Sequence, residues 1–167
     1  MALADLKTLI IDDNAHMREL VRAILFSFNM RNIVVAADAT TGLAAVHEGG
    51  VDLAFVDFRL GDLDGLAFCR EIRMGEDSPD PYLPIIMITA YSERSRVKQA
   101  LDCGIDEFLV KPVRANDVAA RINAVVQRRR AFVKSPDYFG PDRRRRKNPK
   151  YGGPFRRAGD PGEVDIF

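Results

Sequence analysis

The stretch Leu53-Ala54-Phe55-Val56-Asp57 is an apolar run without polar alternation that ends in a carboxylate. Apolar runs of this kind predict strands that are buried on both faces, as in a parallel sheet. Four more runs rich in Ile, Val, Leu and Phe occur at Thr8–Ile11, Ile33–Ala36, Ile85–Ile88 and Phe108–Val110. The chain therefore contains five candidate strands of a parallel sheet, with Leu53–Val56 as the third.

The segments between these runs have the spacing of amphipathic helices. The apolar positions that mark the five helices are Met17, Leu20, Val21, Ile24, Leu25 and Phe28; Leu43 and Val46; Leu66, Cys69 and Ile72; Val97 and Leu101; and Val118, Ile122, Val125 and Val126. We expect a cap at Asn14 for the first helix and an end near Gly49–Gly50 for the second. For the fourth, we expect a cap at Ser92 and an end at Gly104. Five β-α units in succession predict an α/β fold, a doubly wound parallel sheet with helices on both faces.

Length and composition favour one globular domain. The chain has 167 residues, of which 47% are hydrophobic, enough for one well-formed core. No apolar run approaches the roughly 18 residues of a membrane span. Asp5, Asp12 and Asp13 interrupt the short apolar stretch near the N-terminus, which argues against a secretory signal, so we expect a cytoplasmic protein. The two cysteines, Cys69 and Cys103, are too few for a disulfide framework, and we interpret both as small apolar helix residues.

Charge is unevenly distributed along the chain, whose formal net charge is +1. Residues 1–133 carry 16 basic and 19 acidic residues, whereas residues 134–167 carry nine basic and five acidic ones. The second segment is rich in Pro and Gly and has no periodicity. We therefore expect a domain over residues 1–133 and a tail over residues 134–167 that is largely disordered or docks on another surface.

Three interpretations of the tail remain open. It is a solubilising segment, a peptide that docks on a partner or on its own domain, or a segment that binds nucleic acid. The pair Tyr138–Phe139 supplies apolar anchors for docking. The basic run at residues 143–147 favours a nucleic acid. That alternative is weaker, because the tail has no folded nucleic-acid-binding motif and the rest of the chain is acidic.

Reactive side chains stand at the carboxyl ends of four candidate strands. Asp12 and Asp13 follow the first strand, Asp57 ends the third, Thr89 the fourth, and Lys111 follows the fifth. Ligands of open α/β sheets bind at this edge. Each residue alone has an ordinary explanation as a cap, a turn or a surface group. Together they place three carboxylates, a hydroxyl and an amine at one edge of the sheet.

Three neighbouring carboxylates repel one another unless a cation lies among them. Two unit charges about 4 Å apart cost roughly 4 kcal/mol at an effective dielectric constant near 20. Mg²⁺ prefers oxygen ligands and keeps positions for phosphate oxygens. With Lys111 and Thr89 available for further phosphoryl oxygens, the pattern predicts a phosphoryl-transfer site. Asp57 is the candidate nucleophile, because a carboxylate can form an aspartyl-phosphate and Asp12 and Asp13 are better placed as metal ligands.

The chain resembles the receiver domains of bacterial two-component systems over about residues 5–130. The motifs that carry the resemblance are Leu9-Ile10-Ile11-Asp12-Asp13-Asn14, Phe55-Val56-Asp57-Phe58-Arg59-Leu60, Asp64-Gly65, Ile88-Thr89-Ala90 and Phe108-Leu109-Val110-Lys111-Pro112. The resemblance implies a flavodoxin-like sheet of five parallel strands in the order 2-1-3-4-5, with five helices. It also implies a signalling protein that is not an enzyme in the ordinary sense, since it catalyses only its own phosphorylation and dephosphorylation.

The same resemblance assigns roles at the acidic edge. Asp57 is implied to be the phosphorylated residue. The expected cofactor is Mg²⁺ or Mn²⁺. The implied metal ligands are Asp12, Asp13, Asp57 and the backbone carbonyl of Arg59.

Further roles concern the switch between two states. Thr89 and Lys111 are implied to contact phosphoryl oxygens, and the Lys111–Pro112 peptide bond to be cis. Phe108 matches the aromatic position that moves inward when Thr89 is drawn to the phosphate, although it lacks the hydroxyl of the tyrosine common there. Gly61 stands where the family commonly has proline, a departure that removes no catalytic group.

Partners follow from the resemblance as well. Without a Gly-rich phosphate loop, the expected donor is a phospho-histidine on a histidine kinase or histidine phosphotransfer protein rather than ATP. The expected output is binding to a downstream protein target, and a homodimer through helix 4, strand 5 and helix 5 is an open alternative. The competing hypothesis is a DNA-associated transcriptional regulator acting through the basic tail. A phosphatase with an aspartyl-phosphate intermediate is disfavoured, because Arg59 stands where that class needs a second aspartate.

Overall fold

A five-stranded parallel sheet forms the centre of the computed structural model, which describes residues 3–61, 63–90 and 94–143. A short 3₁₀ turn at Leu3–Asp5 comes first. The elements that follow in chain order are β1 (Thr8–Ile11), α1 (Ala15–Ser27), β2 (Ile33–Ala36), α2 (Ala39–His47), β3 (Leu53–Asp57), β4 (Arg59–Leu60), β5 (Leu63–Asp64), α3 (Gly65–Met74), β6 (Ile85–Thr89), α4 (Arg94–Asp102), β7 (Glu107–Val110), α5 (Ala115–Gln127), β8 (Phe132–Ser135) and β9 (Tyr138–Pro141).

The strand order of the sheet is β2-β1-β3-β6-β7, and all four pairings are parallel. Counting only the five long strands, this is the predicted order 2-1-3-4-5, so the fold prediction is confirmed. The three inner strands are buried at every position, as their unbroken apolar runs predicted. The short strands β4 and β5 form a separate two-stranded ribbon just after β3.

Two apolar layers cover the two faces of the sheet. Successive residues of β3 point to opposite layers, so Ala54 and Val56 join one and Leu53 and Phe55 join the other. The first layer is completed by α2, α3 and α4, and the second by α1 and α5. Burial of this apolar surface on both faces holds the carboxyl edge of the sheet, and hence the site, in place.

Helix ends agree with the sequence where the structure describes them. The Asn14 side chain accepts hydrogen bonds from the backbone N–H groups of His16 (2.9 Å) and Met17 (3.3 Å), so the predicted cap of α1 is confirmed. Gly104 follows the end of α4 with a φ of 83°, a left-handed conformation that favours glycine. The predicted cap at Ser92 lies outside the described residues.

An antiparallel hairpin made of β8 and β9 follows α5 and packs against the domain. The rings of Phe132 and Phe139 lie 5.1 and 5.0 Å from that of Tyr82, in the loop before β6. A Cβ added to Gly140 would lie 2.6 Å from the Cα of Gly104, so the two backbones touch directly. The predicted boundary after Val133 thus falls inside β8, and regular secondary structure continues through β9.

A buried ion-pair network anchors this hairpin. Asp106, only 3% exposed, accepts hydrogen bonds from the side chains of Arg73 (3.0 Å) and Arg129 (3.2 Å) and from the N–H of Ile85 (3.0 Å). The two guanidinium groups lie over the Phe132 ring, 5.3 and 4.6 Å from its centroid. Phe132 is therefore held by cation-π contacts as well as by ring packing.

Both cysteines are buried and carry free thiols. The Cys69 thiol donates to the backbone carbonyl of Cys103 (2.9 Å), and burial raises the pKa of Cys69 to about 12. Within the described residues, none of the helices is long and apolar enough to cross a membrane.

Candidate phosphoryl-transfer and metal site

The predicted site residues converge at the carboxyl edge of the sheet. Asp57 is the last residue of β3, whose neighbours in the sheet are β1, followed by Asp12, and β6, which ends in Thr89. Asp12, Asp13 and Asp57 each place a carboxylate oxygen within 4.8 Å of the other two. The sequence pattern thus located an acidic cluster that the fold assembles from two adjacent strands.

Asp12 is buried and only partly satisfied. One carboxylate oxygen accepts a hydrogen bond from the N–H of Asn14 (2.8 Å), while the other, Oδ2, has no hydrogen-bond partner among the described residues. The Lys111 ammonium lies 3.5 Å from that oxygen. A buried carboxylate oxygen without a donor is costly unless a cation or a donor reaches it.

Asp57 lies beside the same lysine. Its side chain is buried, and Lys111 Nζ donates to its Oδ2 at 3.1 Å. Burial raises the pKa of the Asp57 carboxyl above its usual range, the nearby Asp12 raises it further, and Lys111 acts in the opposite direction. An additional positive charge beside Asp57 would therefore stabilise its ionised carboxylate.

Asp13 is exposed and connects β1 to the turn between β4 and β5. Its Oδ2 accepts a hydrogen bond from the N–H of Gly61 (3.0 Å), whose φ is 59°. Proline could provide neither this N–H nor this φ. Gly61, where the resemblance leads to the expectation of proline, thus supplies an N–H and a positive φ that proline cannot, and its hydrogen bond connects Asp13 to the turn after β3.

Gly65 allows α3 to begin directly behind the candidate nucleophile. Its N–H donates to the carbonyl of Phe58 (2.8 Å), and an added Cβ would lie 2.1 Å from the backbone oxygen of Asp57. The Asp64 side chain caps the helix by accepting from the N–H of Ala67 (2.9 Å). The Asp64-Gly65 pair therefore sets how closely α3 approaches the end of β3.

Thr89 and Lys111 are linked through the backbone. The Thr89 carbonyl accepts a hydrogen bond from the Lys111 N–H (2.8 Å), and the Lys111–Pro112 peptide bond is cis. Phe108, half-buried at the start of β7, packs at the margin of the core. Arg121 on α5 donates to the Phe108 carbonyl (3.0 Å), with its guanidinium 5.9 Å from the ring centroid.

Sequence reasoning missed one residue that shapes the site. The guanidinium of Arg18, on α1, donates to the backbone carbonyl of Asp12 at 2.7 Å. Nothing in the local pattern marks this arginine, since it reads as an ordinary charge on an amphipathic helix. Its contact depends on how α1 folds back over the end of β1.

The donor set fits a hard divalent cation. Three carboxylates within reach of one another, one with an oxygen lacking a hydrogen bond, offer the oxygen ligands that Mg²⁺ prefers. A lysine beside two of them offers a second positive group for an anionic ligand. This arrangement can bind a cation and a phosphoryl group together, next to a carboxylate that can act as a nucleophile.

A family model of the response regulator receiver domain matches residues 8–123. The chain therefore belongs to the response regulator receiver family, of the CheY-like type that signals as a phosphoacceptor and is not a conventional enzyme. Membership of this family implies a histidine kinase as partner. Chemotaxis protein CheY of Pseudomonas aeruginosa is 29% identical over 123 residues, which are 74% of this chain and 98% of that protein. Chemotaxis protein CheY-3 of Vibrio cholerae is 28% identical over 124 residues, 74% of this chain and 94% of that protein.

Solved structures support the same fold. Chemotaxis protein CheY4 of Vibrio cholerae has a TM-score of 0.67 at 24% identity, covering 74% of this chain and 100% of that one. A CheY-like receiver domain protein of Methanospirillum hungatei has a TM-score of 0.61 at 28% identity, covering 71% and 91%. The hairpin of β8 and β9 lies beyond the residues that the family model matches.

Proposed function

We propose that Asp57 accepts a phosphoryl group from a phospho-histidine on a histidine kinase or a histidine phosphotransfer protein. The observation that carries the proposal is the position of its buried carboxylate, beside Lys111 and within 4.8 Å of two further carboxylates. An Asp57 oxygen attacks phosphorus, the phosphorus–nitrogen bond breaks, and the departing imidazole keeps the electron pair and is protonated. The product is an aspartyl-phosphate.

The acidic cluster supports Mg²⁺, or Mn²⁺ in its place, as the required cofactor. Asp12, Asp13, Asp57 and the backbone carbonyl of Arg59 would hold it. When bound, the ion would neutralise negative charge on the phosphoryl group during its transfer. Asp12 Oδ2 has no hydrogen bond among the described residues and lies 3.5 Å from the Lys111 ammonium, so it is free to serve as a metal ligand.

Lys111 and Thr89 would bind the phosphoryl oxygens. Lys111 is shared between two carboxylates, 3.1 Å from Asp57 and 3.5 Å from Asp12, so its ammonium already lies where new negative charge would arrive. Thr89 ends the strand next to β3 and lies on the side of the site where Lys111 enters. Its hydroxyl would donate to a phosphoryl oxygen.

The output is a changed surface for a protein target. In this proposal, Thr89 moves towards the phosphoryl group and Phe108 fills the space it leaves, which is a population shift between two packings. The Arg121 side chain would move with Phe108 in that shift, because it contacts both the carbonyl and the ring of Phe108 and pairs with Glu107 at 3.6 Å. The face formed by α4, β7 and α5 would bind the target or a second copy of the chain.

Thermal unfolding with Mg²⁺ and beryllofluoride, a phosphoryl mimic, tests this function. Ligands that bind only the folded state raise its midpoint, by roughly 3–6 °C at ten times the dissociation constant for a domain of this size. We expect Mg²⁺ alone to raise the midpoint and beryllofluoride to raise it further. Asp13→Asn should weaken the Mg²⁺ response, whereas Glu48→Gln, an exposed acid at the end of α2, should keep it. An unchanged wild-type midpoint at 10 mM Mg²⁺ would count against the metal site.

Gly65→Ala is expected to impair both stability and phosphorylation. The new methyl group would meet the Asp57 backbone oxygen, so α3 or the end of β3 must shift, at a cost of about 3 kcal/mol. Displacement of the nucleophile should slow labelling by acetyl phosphate roughly 10- to 100-fold. Gly49→Ala is the control for labelling: alanine is strained at its φ of 90° and should lower stability, but no atom lies within 4 Å of an added Cβ, so the labelling rate should stay that of wild type. Equal labelling rates of Gly65→Ala and wild type would show that the close approach does not matter.

A further inference from the structure

Arg18 reaches back from the first turn of α1 to the loop that carries two of the proposed metal ligands. Its guanidinium donates to the backbone carbonyl of Asp12 at 2.7 Å. That carbonyl belongs to the peptide unit that joins Asp12 to Asp13. Because the donor is charged, this hydrogen bond is stronger than one between neutral groups. Arg18 therefore acts on the backbone between two carboxylates, although its side chain offers no metal ligand.

The backbone of Asp12 is held on both sides. Its N–H donates to the carbonyl of Ala36 at the end of β2 (3.2 Å), and its carbonyl accepts from Arg18. Asn14, which caps α1, donates its N–H to the Asp12 side chain (2.8 Å). Loss of the Arg18 bond would leave the peptide unit between the two aspartates free to rotate, and both carboxylates would then lose their fixed direction.

The acceptor that Arg18 uses separates a positioning role from a neutralising one. Among the described residues, Arg18 bonds to a carbonyl oxygen and forms no ion pair with a carboxylate. Lys111, in contrast, lies 3.1 Å from a carboxylate oxygen of Asp57 and 3.5 Å from one of Asp12. Arg18 therefore leaves the carboxylate oxygens open to a cation while it orients the chain that carries them.

We propose that Arg18 is a positioning residue for the divalent cation, an inference that rests on the proposed function. By fixing the peptide unit between Asp12 and Asp13, it keeps both carboxylates in the cluster whose oxygens lie within 4.8 Å of one another. A guanidinium suits this task because its charge is permanent and its donors form a rigid plane. Residues that orient metal ligands typically contribute roughly 10- to 100-fold to metal affinity.

The sign of the effect distinguishes positioning from simple electrostatics. A positive charge near the acidic cluster repels a divalent cation, so removal of Arg18 would tighten cation binding if its charge alone mattered. If Arg18 positions the ligands, its removal weakens cation binding instead. Arg18→Met is the variant of choice, because it removes the donor and the charge but keeps a long, unbranched side chain that favours a helix.

Titration of the full chain with Mn²⁺, followed by the electron paramagnetic resonance signal of the free ion, measures this affinity without any phosphorylation. We expect Arg18→Met to raise the dissociation constant about tenfold. Arg18→Lys keeps the charge and a donor but not the planar fork, so it should recover most of the affinity and differ from wild type by about 2- to 3-fold. Arg22→Met is the matched control, because Arg22 lies one turn further along α1 in an exposed pair with Glu19, and it should bind Mn²⁺ like wild type.

Two results would overturn the inference. One is an Arg18→Met affinity for Mn²⁺ that equals or exceeds that of wild type, even where urea unfolding with a chelator shows a less stable variant. The other is an equal loss of affinity in Arg22→Met, which would assign the effect to the charge of α1 rather than to the Asp12 carbonyl. Should Arg18→Met not fold, the weaker binding expected of Arg18→Lys decides by itself, and wild-type affinity there rejects the inference.

Failure of the proposed function gives a different result. If the wild type bound no Mn²⁺ at millimolar concentrations, the metal site and this inference would fall together. Binding by the wild type with unchanged affinity in Arg18→Met would reject the role of Arg18 alone and leave the metal site standing.

Discussion

Asp57→Asn is expected to reduce labelling by acetyl phosphate and Mg²⁺ at least about 100-fold, to the background of the assay. The amide has nearly the size of the carboxylate, so the fold should persist, but it is a poor nucleophile and a weak ligand for a divalent cation. Glu48→Gln makes the same chemical change at an exposed position and should label like wild type. The measurement is the mass increase of a phosphoryl group on the intact chain. Comparable labelling of Asp57→Asn would assign the phosphoryl group to another residue.

The same variant should be more stable than wild type when no divalent cation is present. The pKa of Asp57 is raised chiefly by burial and then by Asp12, so at neutral pH its ionised carboxylate lowers the free energy of unfolding. The amide removes that penalty. As pH falls through the raised pKa, the wild-type carboxyl takes up a proton and the difference should shrink. Urea unfolding of both proteins across pH, with a chelator present, checks the sign.

Asp106→Ala should lower the free energy of unfolding by about 3–5 kcal/mol, the usual cost of breaking a buried ion pair by removing one partner. The Arg73 side chain is only 1% exposed and would lose its carboxylate, keeping the carbonyls of Gly104 and Pro81 as acceptors. The Ile85 N–H and Arg129 would lose the same partner. Urea unfolding measures the loss.

Asp102→Ala is the matched control for that variant. Asp102 also pairs with an arginine, Arg143 of the segment after β9, but their side chains are 43% and 37% exposed. Exposed ion pairs contribute about 0–1 kcal/mol, so this variant should lose little. If Asp106→Ala lowered the free energy of unfolding as little as Asp102→Ala, the buried network around Asp106 would not anchor the hairpin.

The sheet and its acidic edge were predictable from the sequence because both depend on local patterns. An unbroken apolar run such as Leu53–Val56 indicates a strand that is buried on both faces. The residue that follows the run then lies at the carboxyl end of that strand. Once β1 and β3 are parallel neighbours, an order that the family resemblance implied, Asp12 and Asp57 meet whatever the details of the loops. The position of such strand-end residues can be predicted without knowing the contacts between distant parts of the chain.

The hairpin and its anchor could not be predicted in the same way. Asp106 and Arg73 are 33 positions apart, and each reads as a surface charge until the fold buries both. Tyr138 and Phe139 gave an apolar signal for docking, but the surface that receives Phe139 is built from Tyr82 and Phe132, which no local pattern connects. The requirement for glycine at Gly65 likewise depends on how closely α3 approaches β3.

A crystal structure of the protein with Mg²⁺ and beryllofluoride would show directly whether Asp57 is the phosphoryl acceptor. We expect beryllium on a carboxylate oxygen of Asp57, the metal ion bound by Asp12, Asp13 and Asp57, and Lys111 against a fluorine. Beryllofluoride on another side chain, or the three carboxylates turned apart with no metal between them, would contradict it.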